Sequence, residues 1–273
     1  MITVLGASGF IGSNIVGRLE ALKYDFYAPK RGVDVFKTEL GDIMYCIGLT
    51  ADFRQKPFET VEAHVCLLSK ILQYANFKSL TYLSSTRVYI KSKDSEVFEH
   101  SPITVSLSDP DELYTLTKLT GESICLSSGK KTRIVRLSNV YGNDYTSQNF
   151  ITDILKKVQT DKYLKFYTSA DSSKDYISID DISSLLIDIA RNGQESVYNV
   201  ASGMNISNRE IVTMLKESYP FNYEFDEHAK EIIFPKINID KIKKEFGFSA
   251  DSNKVNLSNL IKNYGNDTDR RRK

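Results

Sequence analysis

The sequence predicts an α/β fold in which a doubly wound parallel sheet is joined to a smaller C-terminal lobe. Apolar segments typical of strands alternate with stretches of helical periodicity through the first half of the 273 residues. The strand segments are residues 2–5, 25–28, 42–48, 80–84 and 133–137. Such alternation favours right-handed βαβ units, whose parallel strands are covered by helices on both faces. A glycine-rich turn after the first strand and hydroxyl side chains at a later strand end support the same fold.

The glycine turn predicts a dinucleotide ligand. Gly6, Gly9 and Gly12 recur where the first strand gives way to a helical pattern, so the backbone can turn tightly and approach a pyrophosphate. The unpaired N–H groups and the positive dipole end of the helix would attract the phosphates. The spacing G-x-x-G-x-x-G differs from the usual G-x-G-x-x-G, and the glycines alone leave a plain strand-to-helix turn as the alternative. The predicted cofactor-binding residues are Gly6, Ser8, Gly9, Phe10, Ile11 and Gly12.

The pattern changes after residue 142, and this change predicts the domain organisation. Helical stretches follow at 148–159, 180–191 and 208–218, with one more strand at 197–200. Earlier in the chain, the link from residues 33–35 to residue 42 is too short for a crossover helix. We expect a dinucleotide-binding domain at 1–145, to which 175–201 return, a substrate lobe at 146–174 and 202–265, and a polar tail at 266–273.

Composition excludes several classes of function. Lysine and arginine total 36 against 35 acidic residues. A net charge of +1 produces no electrostatic field that would attract nucleic acid to the protein as a whole. No apolar stretch approaches transmembrane length and no signal-peptide pattern precedes the first strand, so we expect a cytoplasmic protein without membrane contact. The cysteines and histidines have no ligand spacing, which predicts reduced thiols and no metal site; they are Cys46, Cys66, Cys125, His64, His100 and His228.

Residues 109–129 carry a complete set of helix signals. Asp109 is the predicted N-cap, Pro110 follows at the first helical position, and Gly129 ends the stretch. Tyr114 and Lys118 lie four residues apart, so they project from one face of this helix. The ammonium, with the charge of an oxidised nicotinamide, is expected to lower the phenol pKa toward the range of a general acid/base. Taken alone, the pair fits a solvated helix face better than a catalytic pair.

Hydroxyl side chains at a strand end favour the catalytic interpretation. Ser84 lies at the end of the strand at 80–84, and Ser85 and Thr86 follow it directly. Parallel strands deliver such side chains to their carboxyl edge, where doubly wound folds bind ligands. One of the two serines is expected to serve only the local turn.

These motifs together resemble the extended short-chain dehydrogenase/reductases, in particular the nucleotide-sugar epimerase/dehydratase group. The resemblance rests on the glycine turn, on Ser-Ser-x-x-Val-Tyr at 84–89 and on the Tyr114-x-x-x-Lys118 helix. It continues through 136–142 (RLSNVYG), 174–181 (KDYISIDD) and 198–203 (YNVASG), and so covers nearly the whole chain. It implies a Rossmann core, an NAD(P) cofactor, a nucleotide-sugar substrate and a homodimer.

The resemblance also implies roles for single residues. Tyr114 would be the general acid/base, Lys118 would hold the nicotinamide ribose and tune Tyr114, and Ser85 would hydrogen-bond the reacting sugar oxygen. Thr86 and Asn139 would contact the substrate, the latter at its diphosphate. Lys174 stands where many relatives carry an arginine, and its ammonium could still meet a phosphate as a point charge.

Lys30 and Arg31 bear on the choice of cofactor. They follow the second strand, where NAD-preferring relatives usually place an acidic residue for the ribose 2′-hydroxyl. A cationic pair suits a 2′-phosphate, so we expect NADPH, with NAD as the alternative. The other interpretation of this pair is two exposed loop charges.

The sequence favours one function over three others. Relatives that dehydrate nucleotide hexoses commonly follow the catalytic hydroxyl with Asp-Glu, whereas this chain has Thr86 and Arg87, which argues against a 4,6-dehydratase. We expect NADPH-dependent reduction of a nucleotide-linked 4-keto-6-deoxy sugar. A nucleotide-sugar 4-epimerase with tightly held NAD is the alternative. A non-catalytic NAD(P)-binding regulator would be expected to have lost Tyr114 or Lys118, and both remain.

Overall fold

A computed structural model describes residues 1–50, 52–143 and 149–270, with side chains through residue 264. Its strands are β1 (Ile2–Leu5), β2 (Phe26–Tyr27), β3 (Asp42–Tyr45), β4 (Ser79–Ser85), β5 (Glu96–Val97), β6 (Thr132–Leu137), β7 (Asn139–Tyr141), β8 (Tyr163–Thr168), β9 (Ser173–Ser178), β10 (Val197–Val200), β11 (Asn205–Ser207), β12 (Asn222–Lys230) and β13 (Lys236–Ile237). Its helices are α1 (Phe10–Ala21), α2 (Pro57–Val61), α3 (Leu67–Tyr74), α4 (Glu112–Ser127), α5 (Phe150–Thr160), α6 (Ile179–Asn192), α7 (Asn208–Lys216), α8 (Asp240–Phe246) and α9 (Asn253–Arg270). A π-helical segment, Glu62–Cys66, joins α2 to α3, and a 3₁₀ turn, Thr86–Tyr89, follows β4. Within these ranges, no helix combines the length and the apolar character that a membrane span requires.

The main sheet confirms the predicted doubly wound fold. Six parallel strands lie in the order β10-β6-β4-β3-β1-β2. From β1 the sheet is extended to one side by β2 and to the other side by β3, so the order of the strands reverses between these two connections. Ligands of such sheets bind outside the carboxyl ends of the strands at this switch point. Strands β2 and β3 are shorter than expected. Residues 28–41 between them contain no helix, in agreement with the prediction that this link is too short for a crossover helix.

Successive strand residues pack on opposite faces of the sheet, which explains the two helical layers. Val4 and Met44 face α1 and α6, where the buried side chains include Ile15 and Leu186. The neighbours of Val4 and Met44 along these strands face the layer of α3 and α4 instead; they are Leu5, Ile43 and Tyr45, and Tyr82 of β4 faces the same layer. Because side chains alternate along a strand, apolar runs in the sequence are needed to fill both layers.

The C-terminal part of the chain has its own apolar cluster, which lies among α5, β8, α7 and α9 and includes Leu155, Phe166, Ile211 and Leu257. Helices α5, α6 and α7 occur within about two residues of their predicted bounds, apart from Gln148, which lies outside the described residues. Helix α9 continues to Arg270, so the boundary expected after residue 265 falls inside a helix. The division into domains remains a prediction.

Helix α4 begins later than predicted. It starts at Glu112, and Asp111 rather than Asp109 is its N-cap residue, without a side-chain capping bond. The carboxylate of Asp109 accepts from the backbone N–H of Asp111 at 3.0 Å and from Lys91 Nζ at 3.1 Å. Asp109 therefore makes a local turn before the helix, a competing use of its side chain that the sequence pattern does not distinguish from capping.

Polar contacts one helical turn apart fix α4 against β4. Lys118 Nζ donates to the carbonyl oxygen of Leu83 at 2.8 Å, and Ser84 Oγ donates to Glu122 Oε1 at 2.5 Å. Glu122 also pairs with Arg136 of β6, whose Nη2 lies 2.6 Å from Oε2. Because the Glu122 and Arg136 side chains are nearly inaccessible, 5% and 7% exposed respectively, the pair belongs to the interior.

A second chain of hydrogen bonds runs through His64, which is fully buried in the π-helical segment. The backbone N–H of Leu49 donates to His64 Nε2 at 3.1 Å, so Nδ1 carries the proton and donates to Thr117 Oγ1 at 2.9 Å. Thr117 Oγ1 in turn donates to the carbonyl oxygen of Tyr114 at 3.0 Å. Neutral His64 thus links the loop after β3 to the first turns of α4.

We expect Glu122→Gln to lower the free energy of unfolding by about 3–5 kcal/mol, because it leaves Arg136 buried without its counter-charge. Urea denaturation measures this loss. Glu217→Gln is the matched control, since Glu217 forms a 3.8 Å pair with Lys262 in which both side chains are more than half exposed, and less than about 0.5 kcal/mol is expected there. Equal losses in the two variants would contradict a structural role for the buried pair.

We expect acid to destabilise the protein through His64. Burial lowers the pKa of His64 to about 2, with the charge of Lys118 acting in the same direction. Because an unfolded histidine binds a proton near pH 6.5, stability is full above that pH and falls below it, by roughly 1 kcal/mol per pH unit. Urea denaturation between pH 7 and 5 should show a shallower pH dependence for His64→Gln than for wild type. His228→Gln, at an exposed histidine, should keep the wild-type slope; a wild-type slope in His64→Gln would refute the assignment.

Candidate active site

A cavity of about 530 Å³ opens at the carboxyl edge of the main sheet, between the sheet and the C-terminal part of the chain. On one side it is lined by the start of α1, the end of β3, the end of β4 and α4. On the other side it is lined by β7, the start of α5 and the start of β9. This is the place where the switch point of the sheet puts a ligand.

The glycine turn forms one end of the cavity. Gly6 has φ of +88°, and a Cβ on it would lie 2.9 Å from the backbone of Cys46. A Cβ on Gly12 would lie 2.3 Å from the carbonyl oxygen of Gly6, so α1 can pack this close only with glycine there. Gly9, Phe10 and Ile11 line the cavity, whereas Ser8 is exposed and is not among the lining residues.

The first N–H groups of α1, which no helix can pair internally, therefore point toward this end of the cavity. This arrangement, with a backbone that glycine lets approach closely, fits the pyrophosphate of a dinucleotide.

Tyr114, Ser85 and Lys118 meet in the middle of the cavity wall. Tyr114 is 6% exposed, and its ring packs against Phe53 and His64 at centroid distances of 5.4 and 5.5 Å. Burial raises the pKa of Tyr114, while a hydrogen bond with Ser85 lowers it in part. Lys118 Nζ lies 5.9 Å from the centre of the Tyr114 ring. The sequence thus predicted which three side chains come together.

The electrostatics of this group differ from the expectation in which cation acts on Tyr114. Burial raises the pKa of Tyr114, and the cation that opposes the rise is Arg87 rather than Lys118. Lys118 donates to Leu83 instead, and burial lowers its own pKa to about 7, with Glu122 and Cys46 opposing that shift. The lowering expected from Lys118 together with an oxidised nicotinamide stays a prediction.

The predicted substrate residues line the same cavity. Thr86 is buried beside Ser85. On the opposite wall, Asn139 Nδ2 donates to the carbonyl oxygen of Asp175 at 2.8 Å. Lys174 Nζ lies 4.3 Å from the centre of the Phe150 ring. Burial lowers the pKa of Lys174 to about 8, and the charge of Arg87 adds to this shift.

Lys30 and Arg31 stand apart from these residues. Both are exposed in the loop after β2, in a turn closed by a bond from Val33 N to the Lys30 carbonyl oxygen. Neither is among the residues that line the cavity.

Phe53 and Arg87 line the cavity but were not among the predicted site residues. Phe53 is 4% exposed and lies between Tyr114 and the guanidinium of Arg54, whose carbon is 4.6 Å from the ring centre. Arg54 is held in turn by two 2.5 Å hydrogen bonds to Asp111 at the start of α4. The only available signal for Arg87 was its place directly after the hydroxyl residues of β4.

Comparison with known proteins agrees with this geometry. The sequence model of the NAD dependent epimerase/dehydratase family matches residues 42–201, more than half of the chain, although the glycine turn precedes the matched segment. A dTDP-glucose 4,6-dehydratase of Streptomyces griseus is 24% identical over 260 residues, which cover 80% of this chain and 78% of that protein. A GDP-6-deoxy-D-mannose reductase of Pseudomonas aeruginosa is 22% identical over 241 residues, 78% of each chain.

A solved structure shows the same fold at low identity. The UDP-N-acetylglucosamine 4-epimerase of Methanobrevibacter ruminantium M1, solved with UDP-N-acetylmuramic acid, superposes with a TM-score of 0.79 at 18% identity over 98% of both chains. With its doubly wound sheet, its glycine turn and the match over residues 42–201, the chain belongs to the NAD-dependent epimerase/dehydratase family.

Proposed function

We propose that the protein uses NADPH to reduce a nucleotide-linked 4-keto-6-deoxy sugar. The observation that carries this proposal is that Tyr114, Ser85 and Lys118 line one wall of the cavity, with Lys118 Nζ 5.9 Å from the centre of the Tyr114 ring. The Tyr114 hydroxyl gives its proton to the carbonyl oxygen of the sugar, and Ser85 donates a hydrogen bond to the same oxygen as negative charge develops there. The dihydronicotinamide supplies the hydride when bound.

The other residues of the cavity bind and orient the reactants. The N–H groups of the glycine turn hold the cofactor pyrophosphate, and Lys118 holds the nicotinamide ribose. Asn139 and Lys174, on the opposite wall, contact the diphosphate of the substrate. Lys30 and Arg31 are the candidates for the 2′-phosphate of NADPH, because they are cations in the loop where a carboxylate would favour NAD.

The lining of the cavity favours reduction over dehydration. Elimination of water needs a proton acceptor and a proton donor beside the leaving hydroxyl. Among the described lining residues there is no aspartate or glutamate, and Thr86 and Arg87 follow the Ser85 hydroxyl. The reductase relative from Pseudomonas aeruginosa, named for a 6-deoxy sugar, supports the same choice.

Epimerisation at C4 of a nucleotide sugar is the second candidate. It would use the same tyrosine and needs no further side chain, and the likeness to a UDP-N-acetylglucosamine 4-epimerase over 98% of both chains favours it. A bound NAD that is reduced and reoxidised in each turnover would then replace consumed NADPH.

We expect the purified protein to consume NADPH stoichiometrically with one member of a panel of nucleotide-linked 4-keto-6-deoxy sugars, followed by absorbance at the reduced-nicotinamide band. Tyr114→Phe should lower kcat at least about 100-fold while nucleotide binding is kept, because only the proton donor is removed. Tyr74→Phe, at a 63% exposed tyrosine of α3, is the control that should remain active.

No consumption with any sugar, together with a change of sugar stereochemistry without net redox, would replace the reductase by the epimerase. Full activity of Tyr114→Phe would contradict the role of Tyr114 in either reaction.

We expect the affinity for a nucleoside diphosphate to fall by about 5- to 10-fold between pH 7 and 9.5. Lys174 is charged below its pKa of about 8 and loses its proton as the pH rises through that value, so the ion pair with phosphate weakens. Lys174→Arg, whose guanidinium stays charged throughout, should bind equally well at both pH values. Calorimetric titration measures both proteins; the same fall in Lys174→Arg would assign the effect to another group.

A further inference from the structure

The charge of the cavity is unbalanced, in contrast to the chain as a whole. Its described lining contains three cationic side chains, Arg87, Lys118 and Lys174, and no carboxylate. The full sequence carries 36 cationic and 35 acidic residues, so this concentration of one sign is local. Lys118 donates to the Leu83 carbonyl oxygen at 2.8 Å and is already assigned to the nicotinamide ribose in the proposed function. The structure therefore leaves the charges of Arg87 and Lys174 to face the cavity.

Arg87 is incompletely paired. Its Nε is buried and has no hydrogen-bond partner among the described residues. The nearest carboxylate is that of Asp111, at 3.8 Å from Nη2, which is beyond hydrogen-bonding distance. Asp111 is already engaged by Arg54 through two bonds of 2.5 Å. A buried donor without a partner is costly, so a group that supplies an acceptor there would be bound favourably.

Lys174 is the second cation of this region, and no carboxylate of the described residues pairs with it. Its Nζ lies over the rings of Phe150 and Tyr176, at 4.3 and 5.5 Å from their centres. Arg87, Lys174 and Tyr114 line the same cavity, and the positive charge of Arg87 acts on both of the other two side chains. An anion bound between the two cations would relieve their repulsion.

We propose that Arg87 and Lys174 form one oxyanion-binding site for the substrate, in which Arg87 Nε donates to the anion. This inference rests on the proposed function and deepens it. A phosphate oxygen of the nucleotide and a carboxylate on the sugar offer the same acceptor chemistry. In the second case Arg87 also selects among substrates, because a guanidinium recognises the paired oxygens of a carboxylate.

The test compares binding to wild type and Arg87→Gln by isothermal titration calorimetry. UDP, dTDP and GDP are titrated first, and the tightest binder is then tested as its glucose and glucuronate conjugates. We expect Arg87→Gln to weaken binding on the order of 10- to 100-fold, as the loss of a charge-assisted hydrogen bond would. Equal weakening of the free nucleoside diphosphate, its glucose conjugate and its glucuronate conjugate identifies the diphosphate as the anion. Weakening confined to the glucuronate conjugate identifies a carboxylate on the sugar.

Arg191→Gln is the matched control, because Arg191 lies on α6 outside the cavity lining and packs over Tyr24. Urea denaturation of each variant verifies that it is folded. A structural defect would weaken the binding of neutral and anionic sugar conjugates alike. Wild-type affinity of Arg87→Gln for every ligand would overturn the inference and leave the proposed function standing. A wild-type protein that binds none of the nucleotides would overturn both.

Discussion

The contact between α4 and β4 is the constraint on which the site depends. Tyr114, Lys118 and Glu122 lie at successive four-residue steps along one face of α4, and the last two are bonded to the end of β4, at Leu83 and Ser84. These bonds leave the helix no freedom to slide or rotate against the strand, so the Tyr114 hydroxyl is held beside the next strand residue. The pair of Glu122 with Arg136 anchors the same face to β6. Because that pair is buried, removing one partner would cost more than the pair itself contributes.

The parts of this arrangement that the sequence predicted are those set by local periodicity. A strand followed by glycines at three-residue spacing predicts a close backbone approach, and Gly12 shows it, with room for no Cβ against the Gly6 carbonyl oxygen. The four-residue spacing of Tyr114 and Lys118 places them on one helix face wherever the helix begins. For this reason the error at Asp109, which placed the predicted helix start two residues too early, left the predicted site unchanged.

The parts that could not be predicted are long-range pairings of common residue types. His64 is 53 residues from Thr117, and no pattern in the sequence distinguishes it from the exposed His228. Arg54 reads as a loop cation until its two bonds to Asp111 are seen. The sign of the shift at Tyr114 also depends on packing, because spacing reports that a cation is near but does not report how deeply the phenol is buried. At Tyr114, desolvation raises the pKa by more than the neighbouring groups lower it.

The sign of the charge in the cavity separates the reactions that this fold could perform. Transfer of hydride to a ketone creates negative charge on its oxygen, and the charge of Arg87, which acts on Tyr114, would lower the energy of such an oxyanion. Elimination of water requires instead a carboxylate that stays basic near the sugar, and two adjacent cations would lower the pKa of any such group. The same cations favour anionic ligands over neutral ones before any chemistry occurs. The electrostatics that bind a nucleotide sugar in this cavity therefore also favour the reductive reaction over the eliminative one.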